Sequence, residues 1–538
     1  MTEISYASIA RKKKLKRGLL LATLVTAAAI FTATTFTDTE KSAALTKPNK
    51  ANTLSISGPW EISSLDPSKQ GYILTRMQVI ETLLNVNEQG MITPGLASKW
   101  QRSDDGLNWQ FTLRDGVSFH DDTPLNADAV VRSLTHAQRK HGTLNKAQII
   151  KISAISSHVV EIELAQPYAA FAALLTNYSN AILSPLSYKA DGSVSALYGS
   201  GPYQMASFSP PHKLTVQKFP HYWGDKAQIS FATYLTGHRA ESRILQAKSG
   251  EADIVFTLEP SMLTQLQGSN EVKIHSNLIP RTMFVKVNAG HPLLSDVQVR
   301  TALSLALDRA AIAKNVLNAP GSEAAQLMPS SMSQWFVEGV NNTPFNLEKS
   351  QQILASLGWE RNESGLLERD GQAFKLTMIT YADRPELTTV ATAIQAQWAK
   401  LGVELKVDVT NSSMIPAGHS DGSLEMALIA RNFGFSADPL PIMSTDFAHG
   451  GGDWGTMNWT NTAVDNAIDE LLTSDNATRS LALSQSIAKA IYDDKPVLPI
   501  SSYSQHTSVN KRVNNFKFDP FERNYFINKM YFDQAGNQ

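Results

Sequence analysis

Catalysis and metal capture draw on few residue types, and this chain of 538 residues spreads them thinly. It holds 12 histidines and no cysteine. The lack of cysteine excludes disulfides, thiolate metal centres, cysteine nucleophiles and a lipid-anchored N-terminus. His136 and His141 are five apart, a spacing that does not place them on one helical face. No P-loop sequence cradles a phosphate, and HExxH does not occur. Gly450-Gly451-Gly452 reads as a flexible loop, because no helix N-terminus follows it closely enough to bind an anion. With no catalytic set and no metal-ligand spacing, the residues point to a binder and not an enzyme, with no resident cofactor or metal.

The remaining chemistry is recognition, and large α/β elements must position it. Hydrophobic residues make up 42% and charged residues 18% of the chain, an ordinary globular composition. The length suggests two to four domains. Residues 1–44 carry seven basic and three acidic side chains, which leaves 41 basic against 46 acidic residues, a net −5. A mildly acidic body argues against a nucleic-acid partner, which needs clustered Lys and Arg.

The basic cluster Arg11 to Arg17 leads into nineteen uncharged residues, Gly18 to Phe36. This is the pattern of an export signal. Nineteen residues also just reach across a bilayer of ~30 Å, so cleavage and retention as an anchor both stay open. In either case the body is expected outside the cytoplasm, in the periplasm. Residues 1–51 are assigned to signal or anchor plus polar tether.

Strand and helix patterns alternate through the body. Asn108 to Leu113 and Val159 to Leu164 alternate polar and apolar residues, as half-buried strands do. Asn126 and Asn346 are candidate helix caps. Ser295 and Gln298 form a capping-box pattern before a helix expected over 297–317. Helices are expected over 386–400, stopped by Gly402, and from Thr462 to about Tyr492. Val403 to Val409 and Pro496 to Ile500 read as strands. Helix, glycine and strand in repetition indicate an α/β class.

Several ordered motifs add a resemblance. Leu96-Ala97-Ser98-Lys99-Trp100, Asp105-Gly106, the run Trp109 to His120 and the run Pro124 to Val130 resemble the signature of the family 5 solute-binding proteins of peptide and nickel ABC importers. Leu65-Asp66-Pro67, Gly199 to Tyr203, Tyr222-Trp223-Gly224, Gly250 to Ile254 and Asp296 to Asp308 are similar to further elements of that family, so the likeness spans residues 54–532. It implies a two-lobed periplasmic-binding-protein (type II, venus-flytrap) fold with an enlarged first lobe. Two crossing strands are implied near Arg281 to Asn288 and Pro496 to Tyr503. Lobe I would comprise 52–285 plus 500–538 and lobe II 286–499, with ligand held between them. ABC permease and ATPase subunits are the implied partners.

The resemblance also bears on the ligand. Peptide-binding members place an amine-binding Asp where this chain has Phe435. Nickel- and metallophore-type members instead carry an Arg at the position of Arg431, an aromatic at Phe433 and a His near His449. Arg suits a carboxylate-bearing ligand because its fork pairs a carboxylate with two hydrogen bonds. A second cleft Arg of those members falls on Asn180 here, and Arg139 or Lys140 is a candidate replacement. Tyr72 and Trp60 are candidate aromatic walls. The implied function is capture of a small carboxylate-bearing ligand or an already chelated metal. The alternative is an oligopeptide binder with an altered amine site.

Overall fold

The computed structural model describes residues 47–140, 142–340, 344–381, 384–434, 437–474 and 476–533. The export segment expected before residue 47, together with His141 and Phe435, lies outside the described residues. Pro48–Gln538 forms one compact unit. Among the described residues no helix is long and apolar enough to cross a membrane.

A ten-stranded sheet runs through this unit. At its centre lie two unusually long antiparallel strands, Val272–Val287 and Val497–Asn510, paired from Val272 opposite Asn510 to Lys286 opposite Val497. On one side follow Ile254–Val255, Thr53–Gly58, Phe231–Thr236, Lys213–Lys218 and Tyr203–Ser209. On the other side follow Met426–Asn432, Lys375–Tyr381 and Glu404–Thr410. The two long strands therefore belong to both halves of the molecule. Their pairing breaks twice, between Leu278 and Thr282 and between Met283 and Phe284. Pro280 and Pro499 sit at these breaks, and proline has no N–H to give to a ladder. We place the junction between the lobes at these interruptions.

The first lobe adds a four-stranded sheet, Ala97–Arg102, Asn108–Leu113, Val159–Leu164 and Ile149–Ser156, with helix Ala127–Gln138 beside it. Asn126 caps that helix by accepting from Ala129 N. Of the second-lobe helices Leu347–Ser356, Pro385–Leu401, Thr462–Thr473 and Ala477–Asp494, the first two match expected elements. Asn346 caps the first of these, and Gly402 ends the second at φ 100°, where glycine avoids a Cβ clash.

Three expectations change. The helix read over 297–317 ends at Leu305, because Asp308 accepts from Ala311 N and starts a new turn. Its N-cap is Asp296, which accepts from Gln298 N, not the Ser295 of a capping box. The long helix from Thr462 is two helices, with Asn476 capping the second.

Several family-like motifs prove to be scaffold. The Glu81 carboxylate accepts from Ser200 Oγ (2.8 Å), Tyr222 hydroxyl (3.1 Å) and Trp223 Nε1 (3.0 Å). One carboxylate thus joins the Gly199–Tyr203 and Tyr222–Gly224 segments. Burial pushes it up to about 7, against the pull of those three donors. Gly201 is required by close approach, since a Cβ there would lie 2.1 Å from the Gln78 carbonyl oxygen. Asp253 holds Arg512 by two hydrogen bonds of 2.6 and 2.7 Å.

Lys286, fully buried on the first long strand, donates to the carbonyls of Gly452 (2.6 Å) and Asp453 (3.0 Å) and lies 3.0 Å from His419 Nδ1. Burial pulls its ammonium down to about 8, although Asp446 and Asp453 oppose the shift. Lys286→Met removes the donor and strands these carbonyls. A loss of about 2–4 kcal/mol is expected in denaturant unfolding. An unchanged midpoint would show that the loop 450–456 does not depend on this lysine.

Candidate functional site

The two long strands form the floor of a cavity of about 830 Å³. Arg281, Met283 and Ser501 to His506 come from the strands themselves. Trp60 and Thr257 to Met262 rise from the first lobe, and Tyr381, Arg384 and Glu386 from the second. A cleft between two lobes that share hinge strands is a place where ligand contacts and lobe closure can be coupled.

Tyr503 organises the second-lobe side. Its ring lies between two guanidiniums, with Arg281 at 5.1 Å and Arg384 at 5.5 Å from the centroid. Its hydroxyl accepts from Arg384 Nη1 at 3.2 Å and donates to the Glu386 carboxylate. Arg384 occupies the N-cap of helix Pro385–Leu401 and Glu386 its first turn. The helix N-terminus and the guanidinium thus bring positive potential to the same edge.

On the first-lobe side, Glu522 lies 3.3 Å from Arg281 and 3.7 Å from Arg76. Arg76 stacks 4.3 Å over Trp60 and 5.6 Å from Tyr72. The three arginines are close enough to oppose one another. Burial lowers the Arg281 guanidinium first, Glu522 works against that, and Arg384 and Arg76 add to it.

The residues singled out from the sequence distribute differently. Trp60 lines the cavity, and Tyr72 backs it through an edge contact of 6.4 Å. Arg431 pairs with Thr282 in the sheet, whereas Met283, which lines the cavity, pairs with Ala430. Alternation therefore puts Arg431 on the face opposite Met283. There it forms an ion pair with the buried Asp446. Phe433 is fully buried and packs against Phe447 at 6.4 Å. His449 is largely exposed beside Asp465 and Asp469. Asn180 is buried and donates to Thr143 Oγ1 (3.0 Å) and the Leu174 carbonyl (2.7 Å). Arg139 is exposed at the end of helix Ala127–Gln138. Lys140 forms an ion pair with Asp66 at 2.7 Å. Among the described residues no group of three His, Asp or Glu side chains is placed to hold a metal.

Sequence reasoning passed over Arg76, Arg281, Arg384, Glu386 and Tyr503. Arg281 and Tyr503 lay inside the two expected crossings, and that placement was the available signal. Nothing local marks Arg384 or Glu386, whose partner Tyr503 is far away in the chain.

Comparison with known proteins agrees with this architecture. The family model described as bacterial extracellular solute-binding proteins, family 5 Middle, matches residues 91–454. The Dipeptide-binding protein of Escherichia coli is 24% identical over 470 residues, covering 81% of this chain and 86% of that protein. The Nickel-binding periplasmic protein of Escherichia coli is 23% identical over 479 residues, covering 86% and 91%. The fold matches that of NikA from Brucella suis, solved in complex with Fe(III)-EDTA, at a TM-score of 0.80 with 22% identity, covering 89% of this chain and 99% of that one. The chain belongs to the family 5 bacterial extracellular solute-binding proteins, substrate-binding components of ABC importers and not enzymes.

Proposed function

We propose that this protein captures a small carboxylate-bearing ligand, free or as a metal chelate, between its lobes. The observation that carries the reading is the convergence of Arg281 and Arg384 on Tyr503, with Arg76 behind Trp60. Two guanidiniums line the cavity and a third stands behind its Trp60 wall, and a guanidinium fork matches a carboxylate. A cavity of about 830 Å³ suits a small molecule or a short peptide. Trp60 and Tyr72 supply an aromatic wall. In this reading the anchor role expected of Arg431 passes to Arg384 and Arg281, since Asp446 already engages Arg431. Any metal arrives within the ligand. The N-terminal segment exports the chain to the periplasm, and closure around ligand presents it to ABC permease and ATPase subunits.

Arg384→Ala tests the anchor. Protein stripped of ligand and dosed with a low-mass periplasmic extract should show a thermal stabilisation in wild type. The variant is expected to need about 10–100 times more extract for the same shift, the loss of a charge-assisted hydrogen bond pair of roughly 1.5–3 kcal/mol. Equal stabilisation of both would refute Arg384 as anchor.

Phe433→Ala separates packing from recognition. A fully buried Phe reduced to Ala should cost about 3–5 kcal/mol in denaturant unfolding, while the extract-induced shift persists. Retained stability with lost binding would return Phe433 to the ligand site.

A further inference from the structure

Away from the shared strands, the lobes also touch where no cavity residue takes part. Residues Tyr168 to Phe171 of the first lobe form a tight turn, closed by Phe171 N donating to the Tyr168 carbonyl at 3.1 Å. Ala170 has φ −79° and ψ 9°, the values of the third position of a type I turn. Ala169 is therefore its second residue, whose N–H plays no part in the closing hydrogen bond. That N–H donates instead to the Leu472 carbonyl of the second lobe at 2.6 Å. Leu472 lies in the last turn of helix Thr462–Thr473, where carbonyls lack a donor within the helix. The first lobe thus satisfies a helix end that belongs to the second. None of Tyr168, Ala169 and Leu472 lines the cavity around Tyr503. Another bridge, from Asn318 Nδ2 to the Pro260 carbonyl at 3.3 Å, stands beside the cavity.

Neither partner sits on a loose segment. Phe171 is fully buried and packs against Trp109 (5.5 Å) and Phe111 (6.4 Å) of the four-stranded sheet. Helix Thr462–Thr473 is capped by Asn461, and its Glu470 accepts from Arg479 of the next helix at 2.6 Å. Apolar packing surrounds the contact. One buried cluster contains Trp109 and Phe171 of the first lobe with Ile468 and Leu471 of the second, and Leu472 packs against it. Tyr168 is 9% exposed. Burial pushes its phenol up, and the nearby second-lobe Asp438 adds to the rise. A rigid donor on one lobe and a rigid acceptor on the other meet in a narrow range of lobe positions, because a hydrogen bond weakens steeply with distance and angle.

We infer that the contact of Ala169 with Leu472 is a latch that holds the lobes together from outside the ligand cavity. It sets the closed fraction of the protein without touching the ligand. Closure around ligand is the reading given above, and the latch is a separate contribution that does not depend on which ligand is captured. A contact made in one state shifts the population towards that state, and apparent affinity follows the fraction that is competent to bind. One backbone hydrogen bond corresponds to a change of about 2–10-fold in that balance. Ala169→Pro removes the donor alone, since the second position of a type I turn takes a φ of about −60°, which proline also takes. Ala169→Gly keeps the N–H and serves as its control.

The test uses the full-length protein stripped of bound small molecules. In wild type, the Ala169 amide should exchange its hydrogen at least about tenfold more slowly than an unstructured amide. Ala169→Pro should raise the radius of gyration measured by small-angle X-ray scattering. It should also need about 2–10 times more of a low-mass extract of its native cells for the wild-type thermal stabilisation. Ala169→Gly should match wild type in both measurements. An Ala169 amide that exchanges freely overturns the latch. A proline variant with the wild-type radius and the wild-type extract dose overturns it too, as does a glycine variant that opens as far as the proline variant. A proline variant that opens, beside an Arg384→Ala variant that binds as wild type, supports the latch and removes the carboxylate reading. If the proline variant fails to fold, the exchange rate of Ala169 in wild type decides alone.

Discussion

The pairing of Val272–Val287 with Val497–Asn510 is the constraint from which the rest follows. Sixteen- and fourteen-residue strands are long enough to serve two sheets at once. One half of each pairs within the first lobe and the other half within the second. Pro280 and Pro499 interrupt the ladder between those halves, where a missing N–H prevents continuous pairing. Local hydrogen bonding is therefore weakest at the junction and strong on either side of it. That is the arrangement expected of a hinge, which needs a few residues able to absorb a change in φ and ψ.

The same interruptions place chemistry. Arg281 follows Pro280 directly, and Tyr503 follows Pro499 by four positions. Both reach the cavity from the strands that also connect the lobes. A ligand that touches them touches the hinge. Around these two residues the molecule collects buried charge, which is costly unless paired. Glu522 offsets part of the cost on the first-lobe side, and Glu386 part of it on the second-lobe side. In the function proposed above, a charged ligand enters among these paired groups. Elsewhere the buried charges are spent internally. Lys286 satisfies backbone carbonyls, and Arg431 meets Asp446.

Much of the fold was legible in the sequence. Period-two alternation located Asn108–Leu113 and Val159–Leu164, and Asn126, Asn346 and Gly402 marked helix ends. The helix expected over 297–317 was too long, because its apolar spacing continues past Asp308 while the Asp308 side chain starts a new turn. The site was less legible. Trp60 was read as an aromatic wall from the first loop, and it lines the cavity. Arg431 and Phe433 were singled out by alignment with family positions, but strand register and core packing decide where a side chain points. Arg431 shares a face with Thr282, and Phe433 is enclosed with Phe447. Arg384 and Glu386 gain meaning only through Tyr503, more than a hundred residues on. Pairings at that separation leave no local pattern. Motifs such as Tyr222-Trp223-Gly224, by contrast, were easy to see because they serve the scaffold through Glu81.

The most direct test is a crystal structure of the protein purified from its native cells without removal of bound small molecules. The account predicts an occupant between Trp60 and Tyr503, with a carboxylate on the guanidiniums of Arg384 and Arg281. An occupant seated beside Arg431 and His449, or closed lobes with these arginines still paired only to Glu386 and Glu522, would contradict it.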